Sequence, residues 1–412
     1  MNTASTTVLY VLTFLAMYVE VFFLVTFFEK RKEIVSKIDN NPNRVYPPIT
    51  IVVPCWNEEK TVIGTVNSLL ALEYPKDALH LILVDDGSTD NTWNVLKTFE
   101  NHPNIQIFHK ENGGKHTAMN LGIAMAKTEF LACLDADSFV TPSALKRMMP
   151  YFDDPKTMSV SPSIIVANPK TMIERAQKAE YQLSVYIKKM LALIGAIHVT
   201  PGPFSIYRMK VFRDLGDYKY AHKTEDMEIA YRMQENNYKI EQCHDAVVYT
   251  KAPRTIYTLY KQRLRWIYGF INNTIDYRRL IFKKEYGNFS FFTVPAGVIS
   301  ILSATYLFLF MIYAAFKFVV DKIFRIEAVG TLWTGLPKFD WFFVDTHSFV
   351  FITIVLYGLV FTSLFLGSKM ANGKLKFSMG MIYYIVTFSI IAPFWLMVAL
   401  YKTIMRREVA WR

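Results

Sequence analysis

Four apolar runs of membrane length bracket one long polar stretch, and that spacing limits what the chain can fold into more than any other feature. The runs cover residues 7–28, 291–320, 348–367 and 378–401, with nothing comparable between 29 and 290. A helix needs about 20 apolar residues to cross a bilayer core of about 30 Å. The sequence therefore predicts bilayer helices near both ends and a folded polar domain between them. The first run starts uncharged and ends at Phe27-Phe28, without the basic start and small-residue cleavage site of a secretory signal, so it reads as a retained anchor. Its single charge is Glu20.

Lysine and arginine collect on the cytoplasmic side of spans. EKRKEIVSK and Arg44 follow the first run, which places the N-terminus outside and residues 29–290 inside. Residues 321–347 hold three Lys/Arg against four Asp/Glu and suit an exterior loop, whereas SKMANGKLK, with three Lys, suits an interior one. Four crossings would then put KTIMRREVAWR outside despite its four basic residues. Either the last run re-enters without crossing or the span count is wrong, and the sequence leaves both open.

With 52% hydrophobic and 20% charged residues the chain is neither disordered nor collagen-like. Three cysteines, Cys55, Cys133 and Cys243, form no CxxC pair, which excludes a disulfide framework and a structural zinc site and suits a cytosolic domain. The net charge of +11 is uneven: residues 253–290 carry eight Lys/Arg and two Asp/Glu, interleaved with Tyr257, Tyr260, Trp266 and Ile267. Beside a membrane span this predicts an amphipathic helix on the inner bilayer surface, not a nucleic-acid site.

From Ile49 onward, short β-branched runs (ITIVVP, HLILVDD, IQIFHK, EFLACLD) alternate with helix-like segments. Alternation of this kind marks an α/β domain with a mostly parallel sheet and helices on both faces. Ligands in such sheets bind at the carboxyl ends of the strands. Those positions carry Pro54-Cys55-Trp56-Asn57-Glu58-Glu59, then Asp85-Asp86-Gly87-Ser88-Thr89-Asp90, then Asn112-Gly113-Gly114-Lys115, then Asp135-Ala136-Asp137. Each has a plain structural explanation, Asn57 or Asp90 as a helix cap, Gly87 as a turn, Asp137 as a solvated loop charge. Four such segments at equivalent topological positions point instead to a site.

Asp135 and Asp137 can offer two hard oxygen ligands to Mg²⁺ or Mn²⁺, whose remaining ligands are typically phosphate oxygens and water. Lys115 could add a point charge to the same phosphates. Gly113-Gly114-Lys115 lacks the GxxxxGK[ST] spacing and no GxGxxG follows the first strand, so neither an ATPase nor a dinucleotide enzyme is supported. Farther on, Thr224 can cap a helix with Glu225 and Asp226 in its first turn, either as dipole partners or with Asp226 as a general base. Gln262, Arg263, Arg265 and Trp266 fall within about one and a half helical turns. Arginine can clamp a diphosphate and the indole can stack on a sugar ring.

The ordered set VVPCWNEE, VDDGSTD, NGGKHTAMN, DAD, TPGPFSIYR, TED and QRLRW, flanked by spans, resembles the family 2 processive membrane glycosyltransferases, which include the cellulose, hyaluronan, chitin and poly-N-acetylglucosamine synthases. The likeness covers roughly residues 49–270 plus the spans. It implies a GT-A fold and an inverting transfer from a UDP-sugar to a growing β-linked polysaccharide, N-acetylglucosamine-containing on size and span count, with Mg²⁺ or Mn²⁺. By position, Pro54, Glu58, Asp85 and Asp86 would line the uridine pocket, Lys115 would approach the diphosphate, and Asp135 with Asp137 would hold nucleotide and metal. Gly202, Phe204 and Arg208 would face the acceptor, Asp226 with neighbouring Glu225 would be the catalytic pair, and Gln262, Arg265 and Trp266 would gate diphosphate and acceptor.

The resemblance thus divides the chain into an anchor (1–28), a cytosolic transferase domain (29–252), an interfacial helix region (253–290) and a C-terminal membrane region (291–412) in the plasma membrane. A partner membrane subunit is compatible with it. The chain ends just past its last run, so the C-terminal regulatory β-barrel of cellulose synthases is not expected. Competing expectations are transfer of a single sugar to a lipid carrier or membrane lipid, which the QxxRW motif disfavours, and a transporter or scaffold with a degenerate transferase domain. Sparse intramembrane charge, Glu20 and Lys317, disfavours the transporter.

Overall fold

The computed structural model describes residues 3–34, 44–329 and 349–409. Its strands are β1 (Ile49–Cys55), β2 (Leu79–Asp86), β3 (Ile105–Lys110), β4 (Phe130–Cys133), β5 (Ser138–Val140), β6 (Thr157–Val166), β7 (Ile206–Arg208) and β8 (Lys239–Thr250). Its α-helices are α1 (Thr3–Glu29), α2 (Val62–Leu70), α3 (Thr92–Lys97), α4 (Lys115–Met125), α5 (Ala144–Met148) and α6 (Met172–Leu193). They continue as α7 (Lys210–Leu215), α8 (Glu225–Glu235), α9 (Ile256–Asp276), α10 (Val294–Val329), α11 (Phe349–Asn372) and α12 (Met379–Ile404).

All eight strands form one sheet in the order β3-β2-β1-β4-β7-β6-β8-β5. Both faces are covered, which is why the first strands read as continuous apolar runs. Ile49, Ile51, Val53 and Cys55 point into one core with Val62, Val66 and Leu69 of α2. Val52 faces the other core with Ala118, Met119 and Ile123 of α4. A Cβ on Gly122 would stand 2.4 Å from Val52 Cγ1, so this glycine sets how closely α4 lies on β1.

The mostly parallel sheet holds for β3-β2-β1-β4 and less well beyond it. β7 runs antiparallel to both β4 and β6, and β5 antiparallel to β8.

Among the described residues four helices are long and apolar enough to cross a membrane: Thr7–Glu29, Phe289–Phe324, Phe351–Asn372 and Met379–Ile404. Phe27 of α1 meets Tyr186 of α6 at 6.1 Å, and Thr293, just before α10, donates to the Ala196 carbonyl at 3.0 Å. On α11 a Cβ at Gly367 would stand 2.3 Å from the Gln182 carbonyl oxygen, and Ser363 Oγ donates to Glu20 at 2.6 Å. Glu20 therefore serves a neighbouring helix. α12 touches the inner domain at both ends, through Gly380 beside the Arg175 carbonyl and through Thr403 Oγ1, which accepts from Asn272 Nδ2 at 3.1 Å.

The segment expected as one interfacial helix is helical only over α9, which a Thr255/Thr258 capping box starts. Beyond Asp276 it breaks into short 3₁₀ turns at Arg278–Leu280 and Lys284–Tyr286. α9 buries Leu259, Leu264, Tyr268 and Phe270 in the same core as α8 and α12, so protein covers much of its apolar side.

Candidate active site

The polar segments after β1, β2 and β4 meet on one rim. Backbone and side chain lace the first two together: Asn57 N donates to Ser88 Oγ at 3.0 Å, Thr89 N to Asn57 Oδ1 at 2.8 Å, and Glu58 N to Thr92 Oγ1 at 2.8 Å. Asp90 accepts from Thr92 N at 2.9 Å and from Glu59 N at 3.3 Å. Asn57 and Asp90 thus tie the two loops together, and Asn57 bridges loops where a helix cap was one expectation.

Asp86 is buried and accepts from Gly113 N at 3.1 Å, Gly114 N at 2.9 Å and Lys110 Nζ at 2.6 Å. It holds the glycine turn that starts α4, and so places Lys115. Gly87 makes the close approach possible: its φ is +68°, and a Cβ there would lie 2.6 Å from Asn112 N. Asp85 is fully buried; its Oδ2 pairs with His109 Nδ1 at 2.6 Å and its Oδ1 has no hydrogen-bond partner among the described residues. Pro54, next to last in β1, pairs beside Val84 and is half-buried.

Lys115, at the first position of α4, lies 2.5 Å from Asp135 Oδ1 and 3.7 Å from Glu225 Oε1. Burial alone would lower its pKa, but Asp135, Glu225 and Asp226 together hold the ammonium above its ordinary range. Gly202 backs onto this pair: a Cβ would stand 2.7 Å from Lys115 Nζ and 3.3 Å from Asp135 Oδ1. Glu225 and Asp226 open α8, whose first turn Thr200 ties down by donating from its N (3.1 Å) and Oγ1 (2.9 Å) to the Asp226 carbonyl. Burial, then the adjacent Glu225 charge, pushes the Asp226 carboxyl up to about 6 against the pull of Lys115 and Arg265. A carboxyl poised there suits proton abstraction near neutral pH.

Asp137 lies beside a cleft of about 300 Å³ whose lining includes Glu58, Thr61, Asp90 and Lys251. Burial, then the charges of Asp135 and Glu58, pushes its carboxyl up to about 6. Negative charge crowded on oxygen ligands favours a hard divalent cation, so Asp135 and Asp137 fit Mg²⁺ or Mn²⁺ as two protein ligands. Among the described residues no group of three or more His, Cys, Asp or Glu could hold a metal. Phosphate and water oxygens would have to complete the shell.

α9 brings the remaining groups. Arg265 stands close enough to Asp226 to influence its charge, and Gln262 Oε1 is buried without a hydrogen-bond partner among the described residues. The Arg263 guanidinium lies over the Trp266 ring at 4.1 Å and pairs with Glu180 at 2.5 Å. α9 can approach α8 because residue 269 is glycine: a Cβ would stand 2.2 Å from Thr224 Oγ1, which instead accepts from Asn273 Nδ2 at 2.9 Å.

Two expected acceptor residues are elsewhere. Phe204 has φ +66° and donates its N–H to the Cys133 carbonyl at 2.6 Å, which buries its ring fully in the sheet core. Arg208 pairs across from Phe130, at the start of β4, because β7 runs antiparallel. That is roughly 16 Å from Asp135 at about 3.3 Å per residue. There it binds Glu129 at 2.6 Å and the Phe152 and Thr157 carbonyls at 2.6 and 3.1 Å.

The sequence reading also missed groups that α6 and the segment after it bring in. Burial pushes Lys188 down to about 8 against the pull of Asp226, and burial with Lys188 pushes His198 down to about 4. Neither sits in a motif. A basic residue on an otherwise mixed helix was the only available signal.

Residues 50–216 match the glycosyl transferase family 2 model. Poly-beta-1,6-N-acetyl-D-glucosamine synthases of Staphylococcus epidermidis and of Staphylococcus aureus strain COL are 32% and 33% identical over 224 residues, 54% of this chain and 54% of each relative. The chain thus spans about half the length of the relatives it matches. Among solved structures, a mannosyltransferase from Pyrobaculum calidifontis in complex with GDP-Man and Mn²⁺ superposes with a TM-score of 0.61 at 16% identity. That alignment covers 96% of this chain and 100% of that one, a likeness of fold. Sheet order, strand-end motifs and these matches together give the domain between the apolar runs the GT-A fold, with residues 50–216 similar to glycosyl transferase family 2.

Proposed function

We propose that the chain is an inverting membrane glycosyltransferase that moves a sugar from a UDP-sugar donor to a growing β-linked polysaccharide containing N-acetylglucosamine. One observation carries the reading: Lys115, Asp135, Glu225 and Asp226 form a single electrostatic cluster on the strand-end rim of a family 2 domain, with Gly202 leaving it open. The 1,6-linked N-acetylglucosamine synthases among the relatives favour that sugar.

In this reading Asp226 takes the proton of an acceptor hydroxyl, whose oxygen attacks the anomeric carbon from the face opposite the diphosphate. The carbon–phosphate oxygen bond breaks and UDP leaves with the bonding pair, so an α-linked donor gives a β-glycoside. Lys115 and Arg265 face the charge that develops on the leaving group. Asp135 and Asp137 would hold Mg²⁺ or Mn²⁺, which when bound supplies neutralisation of the diphosphate. Glu58, Pro54 and Asp85 would line the uridine side, with the unpartnered Asp85 Oδ1 as a waiting acceptor, while Asp86 acts through the turn that delivers Lys115. Gln262, Trp266 and Gly202 would border the acceptor. Phe204 and Arg208 have no direct part.

The test is UDP release by the purified full chain in nanodiscs with Mg²⁺ or Mn²⁺, supplied with UDP-GlcNAc, UDP-Glc, UDP-GlcA and their binary mixtures. Release with UDP-GlcNAc alone is expected. Release only with a mixture would replace the homopolymer by a heteropolymer, and silence from folded protein that binds UDP would overturn transfer by this chain acting alone.

A further inference from the structure

α1, α10 and α11 each dock one end on the inner domain, and beyond that end their apolar residues are largely exposed; α10 is the extreme case, with Leu309, Met311, Ile312, Tyr313, Phe316, Phe318, Val319, Ile323 and Phe324 all open. That is the form of a helix leaving the domain for lipid. α12 differs. Gly380 at its start abuts the Arg175 carbonyl on the first turn of α6, and a Cβ there would come within 2.5 Å. Midway, Phe388 faces the Arg263 guanidinium of α9 at 5.9 Å. Near its end Thr403 Oγ1 accepts from Asn272 of α9 at 3.1 Å.

The residues after α12 stay with the domain. Lys223 Nζ donates to the Val409 carbonyl at 2.7 Å, and Tyr220 Oη to Glu408 Oε2 at 3.2 Å. Tyr220 precedes and Lys223 ends the segment Ala221-His222-Lys223, whose three φ values are +42°, +53° and +65° and which leads directly into Thr224, Glu225 and Asp226. A helix that crossed the bilayer would leave its far end a full core thickness, about 30 Å, from the loop its tail touches.

α12 also has two distinct faces. Gly380, Met381, Thr387, Trp395, Leu396 and Ala399 are buried, whereas Ile382, Val386, Ile390, Phe394, Tyr401 and Ile404 are exposed along one stripe at helical spacing. The exposed side carries no charge between Met379 and Tyr401. Phe394 on that stripe meets Phe308 of α10 at 5.0 Å, which joins the stripe to the surface of a crossing helix.

We infer that α12 does not cross the membrane: it lies along the transferase domain with its outward stripe in the acyl chains of the inner leaflet, and Lys402–Val409 return to brace the loop before Glu225 on the catalytic side. Three crossings, α1, α10 and α11, then remain. That count puts the basic tail inside with residues 368–376 and removes the conflict with the charge rule. An apolar helix without a polar face is accounted for when one side is covered by protein and the other by lipid. This inference stands on helix placement and holds whichever sugar is transferred.

The test is sided labelling of the full chain with a membrane-impermeant maleimide in intact cells and in inverted vesicles. Lys374→Cys and Arg407→Cys flank α12 at exposed positions, and the native Cys55, Cys133 and Cys243 are buried. Both introduced cysteines are expected to react only in inverted vesicles. Reaction of the two from opposite faces would overturn the inference. If either variant misfolds, Leu375→Cys and Met405→Cys, 63% and 54% exposed, repeat the comparison. A fluorophore on Ile390→Cys should be quenched by bromolipids and spared by aqueous iodide; the reverse would also overturn the lipid-facing stripe.

Discussion

Replacing Asp226 with Asn keeps the side chain's size and leaves untouched the main-chain carbonyl that Thr200 binds twice. It removes one charge that the site makes costly. The carboxyl moves from 3.8 to about 6, chiefly through burial and then Glu225. Two units at about 1.4 kcal/mol each set a ceiling of about 3 kcal/mol on the cost of ionising it in the folded chain. A carboxyl whose folded value lies above its unfolded one favours folding when protonated, and that contribution is lost as pH rises from about 4 through 6. At pH 7 the cost is therefore present in the parent and absent in the variant. Asp226→Asn should gain about 1–3 kcal/mol and raise the thermal midpoint by several degrees at pH 7, with no gain at pH 3.5. Its UDP release should fall by about 10²–10⁴, the usual share of a general base. Near-normal turnover would refute the base assignment; a lower midpoint at pH 7 would refute the electrostatic argument.

Activity should rise on the acid side with an apparent midpoint near 6, set by the Asp226 carboxyl, and a kcat/KM profile flat down to pH 4.5 would contradict it. Gly202→Ala places a methyl 2.7 Å from Lys115 Nζ, a flexible tip that can move, so folding should change by less than about 1 kcal/mol while UDP-sugar turnover drops at least about tenfold; equal turnover would refute the role of that pair. Gly269→Ala meets the side chain of buried Thr224 and should cost about 1–3 kcal/mol by denaturant melt together with activity. Arg208→Ala should lower the melting midpoint yet leave KM for donor and acceptor unchanged, because its partners are Glu129, Phe152 and Thr157; a selective rise in acceptor KM would restore it to the site.

Much of this arrangement was legible in the sequence because burial on both faces leaves continuous apolar strands, and strand-end residues then fall where a parallel sheet delivers them. Asp85, Asp86, Lys115, Asp135 and Asp137 could be placed on one rim from order alone. Direction could not. Arg208 and Phe204 lie in the same short segment as Gly202, and only the antiparallel run of β7 and the left-handed backbone at Phe204 send them away from it. Lys188 reaches Asp226 through the docking of α6, and His198 in the segment after it lies beside Lys188, tertiary events with no local pattern. The fourth apolar run meets every length and composition test of a span, and tertiary contacts along α12 and its tail are what set it apart from the other three.

The most direct test of sugar transfer at this rim is the product itself. Full-length chain in nanodiscs should be incubated with radiolabelled UDP-GlcNAc and Mn²⁺, and the products resolved by size before and after a hydrolase specific for β-linked N-acetylglucosamine. The account predicts a ladder that the hydrolase collapses and that Asp226→Asn fails to make. A single lipid-linked sugar, or a ladder that persists in Asp226→Asn, would contradict it.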